Sequence, residues 1–460
     1  MCNIKKYGQV FTPIDICEEL ICDIDFEDSS LRICEPCFGD GRILLMLKER
    51  LLEYHSEEHI ISNMLYGIEI QEELYALTLS KVNPRGYKHN LYNMSALTFQ
   101  TDSQERSTWQ PWLQSNPLKE WVGTMTHVVG NPPYNRNIAK KGEVDKMFWD
   151  PSGYTTKLAY CFFVVLANYL LEKGGALKYV MPCSFTHNEN TISFREFLKD
   201  GFDIKKIKIL SKDAFKGIMI RTCIFDAVKG RQTDKIFIER VWNDKKYRTT
   251  TFYNEYNEIP LFIGDVSKEI YNKVMKNRNT LLAFKGWNGA DSYAKFISKD
   301  PDEYEYKYVH GVDRKGQIQV YSSQYADKFK AKKNKKRNNV GNYNRLGLNK
   351  IIINEVMFNS FEAKSHIKYI LIDRDGKFGV SPKNTIICME KEKIDHYVKD
   401  LQSKITQLIF TIMKDYNHND SKLFRYVPFG ISETTLTEEE REFLNSFAET
   451  SNEVIHELIE

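Results

Sequence analysis

The sequence has no apolar run long enough to cross a bilayer and no strong excess of either charge. Its longest apolar run covers residues 158–171, whereas a transmembrane helix needs about 20 residues. The first residues show no charged head followed by an apolar core, so no signal peptide is predicted. A net charge of +3 on 460 residues indicates that any basic surface is local. We therefore expect a cytoplasmic protein without a membrane partner.

The cysteines also lack a recognisable pairing pattern. There are nine, an odd number, and several lie inside apolar runs, which favours reduced thiols over a disulfide framework. Cys34 and Cys37 have the spacing of half a metal or redox site, but no second cysteine pair or nearby histidine pair completes four ligands. We therefore predict no metal site.

The first half of the chain alternates strand-like and helix-like segments, which predicts an α/β fold with a doubly wound, mainly parallel sheet. Composition shifts after residue 258, and the rest has no βαβ rhythm. We predict one domain over residues 1–258 and an α+β domain over 259–460, with a helical, acidic tail from about 434. The predicted strands include 31–34, 64–68, 177–181, 204–210 and 222–228, and the predicted helices are 42–54, 71–82, 156–172 and 194–199.

The most informative motif is Gly-Asn-Pro-Pro-Tyr at residues 130–134, which follows the apolar pair Val128-Val129. It has the pattern of a buried strand that ends in a stiff loop, because two prolines fix φ and restrict the residues before them. Asn131 offers a carbonyl acceptor and an amide donor, and Tyr134 offers a flat ring. The pair suits a planar group that bears an exocyclic amine. The simpler alternative is an ordinary proline-rich turn.

A second loop at a strand end indicates a cofactor. Glu35 and Pro36 precede Gly39 and Gly41, and glycines let a ligand approach the backbone closely. The following helix N-terminus favours a carboxylate. Glu69 ends the next predicted strand, where an acid can accept both hydroxyls of a ribose. The alternative for Glu69 is a surface residue that caps the following helix.

Basic residues are concentrated at positions 328–337, where seven of ten residues are Lys or Arg and none is acidic. Tyr321, Tyr325 and Tyr343 flank this run, which suits contact with phosphates. A solvated flexible loop is the alternative. The candidate residues for these phosphate contacts are Lys332, Lys333, Lys335, Lys336 and Arg337.

In the order of these motifs, the chain resembles the N6-adenine-specific DNA methyltransferases, and in particular their gamma group. Residues 7–13 are similar to the family's N-terminal motif, residues 35–41 to its cofactor loop, and Asn131–Tyr134 to its catalytic motif. The resemblance implies catalytic roles for Asn131, Pro132, Pro133 and Tyr134, with Tyr134 and Phe215 holding the flipped base. It implies S-adenosylmethionine binding by Thr12, Pro13, Glu35, Pro36, Phe38, Gly39, Gly41, Glu69, Ile70, Ser95, Ala96 and Asn131.

One position departs from the family pattern. The family has an acid in an Asp-x-Leu motif that bonds the amine of the cofactor's adenine, and here Ser95 stands in that place. Asn93, two residues earlier, is a candidate to compensate. The gap from Ser95 to Asn131 is long, because an insertion with three tryptophans lies in residues 100–123.

The resemblance implies methyl transfer from S-adenosylmethionine to adenine N6 in duplex DNA after base flipping, in restriction–modification or as an orphan enzyme. It implies that residues 1–258 form the S-adenosylmethionine-dependent catalytic domain and that residues 259–460, with the basic run, form the target-recognition domain that binds DNA. The implied partners are double-stranded DNA and, in a restriction–modification system, a separate cognate endonuclease. Three alternatives remain: an RNA methyltransferase, a protein-glutamine methyltransferase, or a DNA-binding module whose catalytic half has decayed.

A fused nuclease is not predicted. Glu362 and Lys364 have the Glu-x-Lys spacing of a common nuclease motif, but the nearest Pro-Asp pair is some sixty residues away, at Pro301. We therefore interpret the spacing as coincidence.

Overall fold

The computed structural model divides the chain into two compact units, residues 1–260 and 261–460. The predicted assignment of catalysis to the first part and recognition to the second stays a prediction. The structure describes residues 10–97, 117–134, 158–211, 213–215, 220–233, 235–276, 283–285, 297–304, 306–313, 317–323, 348–354, 367, 369–380, 384–413, 421–447 and 454–458.

The described part of the first unit is built on a nine-stranded sheet in the order β3-β2-β1-β4-β5-β7-β6-β8-β9. Only β7 and β9 run against the other strands. The α/β prediction with a mainly parallel sheet is therefore confirmed. The strands are β1 Ile33–Glu35, β2 Leu65–Glu69, β3 Asn90–Asn93, β4 Met125–Gly130, β5 Leu171–Pro182, β6 Phe202–Ile209, β7 Thr222–Lys229, β8 Ile236–Trp242 and β9 Lys245–Thr251.

Helices alternate with these strands as the hydrophobic pattern predicts. Every residue of β1 and β2 is buried, as expected for parallel strands covered on both faces. The apolar run at 158–171 forms a largely buried helix. The helices are α1 Ile14–Ile21, α2 Arg42–Leu51, α3 Glu72–Val82, α4 Ala159–Leu170 and α5 Ile192–Gly201, with shorter helical turns at Glu57–His59, Ile60–Met64, Pro117–Trp121, Cys183–Thr186 and Glu189–Thr191.

The structure differs from the sequence expectation at two places in this sheet. Strand β5 begins at Leu171, directly after α4, and not near Leu177. The hairpin β8–β9 was not predicted, and it widens the sheet by two strands. Its turn places Asn243 and Asp244 at φ 47° and 59°, the backbone of a type I′ turn. Asn-Asp is a weaker sequence signal for this turn than Asn-Gly, because Asp tolerates positive φ less readily than Gly.

The described part of the second unit contains two smaller sheets and a set of helices, which confirms the α+β expectation. The sheet orders are β10-β17-β14-β15-β18 and β11-β13-β12-β16. The strands are β10 Ala283–Lys285, β11 Ile297–Ser298, β12 Tyr306–Val312, β13 Ile318–Ser323, β14 Lys350–Asn354, β15 Tyr369–Asp373, β16 Gly379–Val380, β17 Asn384–Cys388 and β18 Val454–Glu457. The helices are α6 Gly264–Lys276, α7 Ile394–Gln402, α8 Lys404–Met413 and α9 Glu438–Phe447, with short turns at Lys391–Lys393, Ser421–Tyr426 and Ile431–Glu433.

The helical expectation for the acidic tail is correct only for α9. Residues Val454–Glu457 form a strand that pairs parallel with β15, so that Ile455 lies beside Ile370. Residues 454–457 form a strand and not a helix because pairing with the open edge of β15 gives their backbone inter-strand hydrogen bonds. Across the ranges given above, no helix combines the length and apolar character that crossing a membrane requires.

A buried ion pair connects two strands of the second unit. Lys350 and Asp373 are cross-strand partners, and their side chains are 0% and 1% exposed with Nζ and Oδ2 2.6 Å apart. The Asp373 carboxylate also accepts the N–H groups of Lys377 and Phe378, each at 3.0 Å. The carboxylate thus holds the turn after β15 and neutralises a buried ammonium.

Replacing Lys350 by Ala is expected to destabilise the protein by about 3–5 kcal/mol, because it leaves Asp373 buried without its counter-charge. Lys391→Ala is the matched control. It breaks an exposed pair with Asp375 in the same unit and should cost about 0–1 kcal/mol. Urea unfolding of the three proteins measures both effects, and equal midpoints for the two variants would contradict the prediction.

Candidate active site

The carboxyl ends of four neighbouring parallel strands form one edge of the first sheet. Glu35, Glu69, Asn93 and Gly130 end these strands, and Asn131 follows directly. Glu69 lies beside Asn93 in the register of β2 and β3. In doubly wound sheets this edge is where ligands bind.

The loop after β1 reaches α2 through a tight turn. Its chain is held by Phe38 N–H, which donates to the Ile68 carbonyl at 3.1 Å, and by Gly41 N–H, which donates to the Phe38 carbonyl at 2.8 Å. Gly41 has φ 75° and caps α2. A Cβ at this position would lie 2.2 Å from Cγ2 of Thr78, so α3 packs against the loop more closely than any side chain permits.

Glu69 is 5% exposed and already organises this loop. Its carboxylate accepts the Gly39 N–H and the Gln71 N–H, both at 2.8 Å. Burial raises the pKa of this carboxyl above its ordinary value, and the two N–H donors act in the opposite direction. The alternative was a surface Glu that caps the following helix. Glu69 is buried, so it is not a surface residue, although its bond to the Gln71 N–H does lie at the start of α3.

Glu35 and Tyr179 both closely approach Gly130, the residue before the Asn131–Tyr134 loop. A Cβ on Gly130 would be 3.6 Å from Cγ of Glu35 and 3.6 Å from Cε1 of Tyr179. Glu35 is 3% exposed, and neither its Oε2 nor the Tyr179 hydroxyl has a hydrogen-bond partner in the described part of the chain. Burial, with the charges of Asp40 and Glu69, raises the pKa of Glu35 well above its usual range. An incoming cation would suit this buried acid.

The amide of Asn131 has one defined orientation. Its Nδ2 donates to the Val10 carbonyl and to Oγ1 of Thr12, each at 3.2 Å. Its Oδ1 accepts the hydroxyl of Tyr134 at 2.6 Å. Since both N–H groups are used by the N-terminal segment, the amide presents its oxygen as the group that can accept from a ligand.

Tyr134 and Phe215 belong to one apolar cluster. Phe215 is buried in it, and Tyr134 packs against it. The Tyr134 hydroxyl also lies 3.5 Å from the Val180 carbonyl, and burial raises its pKa well above the ordinary value. The two rings that the resemblance assigned to a flipped base therefore lie at the same apolar cluster, and their stacking on a base stays a prediction.

The N-terminal segment is tied to the cofactor loop as well as to Asn131. Arg42 donates from Nη1 to the Thr12 carbonyl at 3.1 Å and pairs with Asp40 at 2.8 Å. Its guanidinium lies 5.5 Å from the centre of the Phe11 ring. Pro13 is the N-cap residue of α1. Thr12 thus lies at this edge, with Pro13 next to it in the chain, and their contact with the cofactor stays a prediction.

The far end of the edge combines an apolar and a polar surface. Ile70, directly after Glu69, is 54% exposed, whereas Ala96, three residues after the end of β3, is buried. Ser95 Oγ accepts the Leu97 N–H at 3.3 Å in a local turn. Asn93 donates from Nδ2 to the Glu69 carbonyl at 2.8 Å.

Sequence reasoning assigned no role to Val10, Thr78 or Tyr179, although Val10 lies within the motif at residues 7–13. Each of the three acts through a backbone carbonyl or through a close approach that is made only in the fold. The predicted DNA-binding residues Lys332, Lys333, Lys335, Lys336 and Arg337 lie outside the described residues. The eight cysteines within the described ranges are free thiols, which confirms the reading of reduced cysteines there.

Comparison with known sequences gives a family. The sequence profile of the N-6 DNA Methylase family matches residues 2–300. The chain is 24% identical over 314 residues to the type II restriction enzyme and methyltransferase RM.BcgI of Heyndrickxia coagulans, with 66% of this chain and 43% of that protein covered. It is 25% identical over 269 residues to the type II methyltransferase M.BstVI of Geobacillus stearothermophilus, with 53% and 45% covered. The chain thus spans less than half the length of either relative.

Comparison with solved structures supports the fold. The DrdV–DNA complex matches with a TM-score of 0.53 at 14% identity, over 96% of this chain and 57% of that one. The type IIL restriction–modification enzyme MmeI in complex with DNA matches with a TM-score of 0.52 at 13% identity, over 94% and 68%. At these identities the likeness concerns the fold alone.

Gly41→Ala is expected to destabilise the first unit by about 2–4 kcal/mol, because it adds backbone strain at positive φ to a clash with Thr78. Gly86→Ala is the control: Gly86 has φ 70°, but a Cβ there meets nothing within 4 Å, so only the strain of about 1 kcal/mol remains. Denaturant unfolding measures both. An equal loss of stability in the two variants would show that the close approach of Thr78 does not contribute to the effect.

Proposed function

We propose, because the chain belongs to the N-6 DNA methylase family, that it transfers a methyl group from S-adenosylmethionine to N6 of an adenine in duplex DNA. One observation of the site carries the proposal. The amide of Asn131 has both N–H groups engaged and directs its oxygen away from them, so it can accept an N–H of an incoming amine. Within the family, the motif order further suggests the gamma group.

The residues at the sheet edge fit the cofactor. Glu35 offers a buried carboxyl oxygen without a partner to an ammonium group, and Glu69 offers its carboxylate to ribose hydroxyls. The exposed side chain of Ile70 provides an apolar surface for a flat ring. Phe38, Gly39 and Pro36 shape the loop between them. When bound, S-adenosylmethionine supplies an electrophilic methyl group on a sulfonium sulfur.

The chain's own contribution to the reaction is to orient the amine. The lone pair of an adenine amine is delocalised into the ring, which makes the nitrogen a weak nucleophile. Asn131 Oδ1 accepts one of its N–H groups and the Pro132 carbonyl accepts the other, which favours a tetrahedral nitrogen with its lone pair free. Pro133 stiffens the loop that holds both acceptors. Positioning and fixed dipoles then lower the barrier without a covalent nucleophile.

The target adenine is stacked and paired in duplex DNA, so it must leave the helix before it can reach Asn131. We assign the ring of Tyr134 to one face of the flipped base and Phe215 to another side of its pocket. The hydroxyl of Tyr134 now donates to Asn131 Oδ1, so an entering amine shares or replaces that bond.

The second unit, with the basic run at 328–337, is proposed to recognise the DNA sequence. We further propose a cytoplasmic enzyme that acts either beside a separate cognate restriction endonuclease or as an orphan. The relative RM.BcgI is named both a restriction enzyme and a methyltransferase. Sequencing methylated DNA after expression in a methylation-free host tests the substrate, base and site together.

Asn131→Ala is expected to lower the rate of methyl transfer by at least about 10²–10³-fold, because the acceptor of the amine is lost. Cofactor binding should survive within a few-fold, since Glu35 and Glu69 remain. Radiolabelled methyl transfer and calorimetric binding of S-adenosylhomocysteine measure the two effects. Asn90→Ala, which removes a side-chain bond to the Ser62 carbonyl at the other end of β3, is the control and should leave transfer unchanged. Full activity of the Asn131 variant would sink the mechanism.

Tyr134→Phe and Tyr134→Ala separate the hydroxyl from the ring. The Phe variant removes only the bond to Asn131 Oδ1 and is expected to bind a 2-aminopurine target base as well as the parent or better. The Ala variant loses a stacking face worth about 1–3 kcal/mol per base. The fluorescence of flipped 2-aminopurine measures both, and a Phe variant as weak as the Ala variant would mean that the hydroxyl, not the ring, holds the base.

A further inference from the structure

The β8–β9 hairpin projects beyond the edge of the sheet that carries the candidate active site. Strand β8 pairs parallel with β6, and both β5 and β6 pair antiparallel with β7, so β8 runs in the same direction as β4 and β5. In the register across these strands, Gly130 at the end of β4 is level with Ile238 of β8. The last four residues of β8 therefore extend about 13 Å beyond that level, at about 3.3 Å per residue.

This projecting part of the hairpin carries exposed positive charge. Residues 239–248 contain four cations and two acids, and Lys245, Lys246 and Arg248 are exposed. All three pair in the hairpin with residues that follow Ile238, so they too lie beyond the end of β4. The cations are thus presented on the side of the sheet edge where Asn131 lies.

Glu239 holds two of these cations in place without neutralising both. Its carboxylate lies 2.9 Å from Lys246 Nζ and 3.0 Å from Arg248 Nε. Lys208, which also pairs with Glu19, approaches the same carboxylate at 3.6 Å. The Arg248 side chain is 73% exposed and uses only Nε within the described residues, so its two Nη groups are available to a phosphate in a bidentate arrangement.

The distance from the catalytic loop to the hairpin suits a duplex whose target base has flipped towards Asn131. Strands β4 and β8 are four positions apart in the sheet, which is about 19 Å at about 4.8 Å per strand. Phosphates of one DNA strand follow each other at about 3.4 Å along the axis, so this distance corresponds to about six base pairs. A hairpin at that distance can contact the backbone beside the target base but cannot reach the base itself.

We propose that the β8–β9 hairpin binds the phosphate backbone of the duplex to one side of the target adenine, through Lys245, Lys246 and Arg248. The inference rests on the proposed function, since it names a second contact for the same substrate. Phosphates are the same at every base pair, so such contacts hold the duplex in position and carry no sequence information. The hairpin is therefore a positioning surface, separate from methyl transfer at Asn131 and from base recognition.

The test measures binding of a duplex by the full chain as a function of salt. Fluorescence anisotropy with a labelled duplex of mixed sequence compares the parent with the double variant Lys245→Ala, Arg248→Ala. Each lost phosphate contact lowers the slope of log K against log salt by about 0.9, or about eightfold in affinity per tenfold change in salt. The double variant should therefore lose about twice that slope, while calorimetric binding of S-adenosylhomocysteine stays unchanged.

Two further variants separate charge at this hairpin from other effects. Arg50→Ala is the matched control, because Arg50 is an exposed arginine at the far end of α2, away from the edge where that helix begins. It should leave the slope unchanged. The double variant Lys245→Arg, Arg248→Lys keeps both charges and should retain most of the slope, whereas a role of these side chains in packing alone would not be rescued.

An unchanged slope in the double Ala variant, or an equal loss in Arg50→Ala, would overturn the proposal. Loss of binding to poly-glutamate with duplex binding intact would also overturn it, because the hairpin would then serve an acidic polypeptide. A parent that binds the duplex through the hairpin but transfers no methyl group would support this inference and contradict the proposed function alone.

Discussion

The hydrogen bonds of the Asn131 side chain are the constraint on which the candidate site depends. Two N–H donations, to the Val10 carbonyl and the Thr12 hydroxyl, connect the loop after β4 to a segment more than a hundred residues earlier. They orient the amide so that its oxygen, which accepts the Tyr134 hydroxyl, faces away from the N-terminal segment, and they hold that segment beside the loop after β1. The side chain that we propose to be catalytic and the N-terminal segment are therefore positioned by the same two bonds.

Two buried acids, Glu35 and Glu69, end strands at the same sheet edge as the Asn131–Tyr134 loop. Glu35 and Glu69 are both nearly inaccessible, and burial raises the pKa of each. Glu69 accepts two backbone N–H groups, whereas Oε2 of Glu35 has no hydrogen-bond partner among the described residues. A buried carboxylate attracts a cation more strongly than an exposed one, because water screens the attraction less. The edge thus carries one acid that is already hydrogen-bonded and one with an unsatisfied oxygen, which fits the ribose hydroxyls and the positive charge of the proposed cofactor.

Several parts of the fold follow from local pattern, and others do not. Strands β1, β2 and β4 and helices α2 and α3 lie within a few residues of their predicted places, because continuous apolar runs and 3.6-residue periodicity are local signals. The β8–β9 hairpin and strand β18 were not predicted. Both are stabilised by pairing with distant strands, and neither the Asn243-Asp244 turn nor the acidic tail announces that partner.

The amino-acid sequence alone specifies the functional groups of the candidate site: a stiff Asn-Pro-Pro-Tyr loop, a glycine loop and an acid at the end of a strand. Residue identity and spacing carry that information, because proline and glycine restrict the backbone wherever they occur. The orientations and contacts of these groups are set by the tertiary structure. It oriented the Asn131 amide, placed Thr78 against Gly41, left Oε2 of Glu35 without a partner among the described residues and anchored Asn93 on Glu69. Those outcomes depend on contacts between residues far apart in the chain, and no local pattern encodes such contacts.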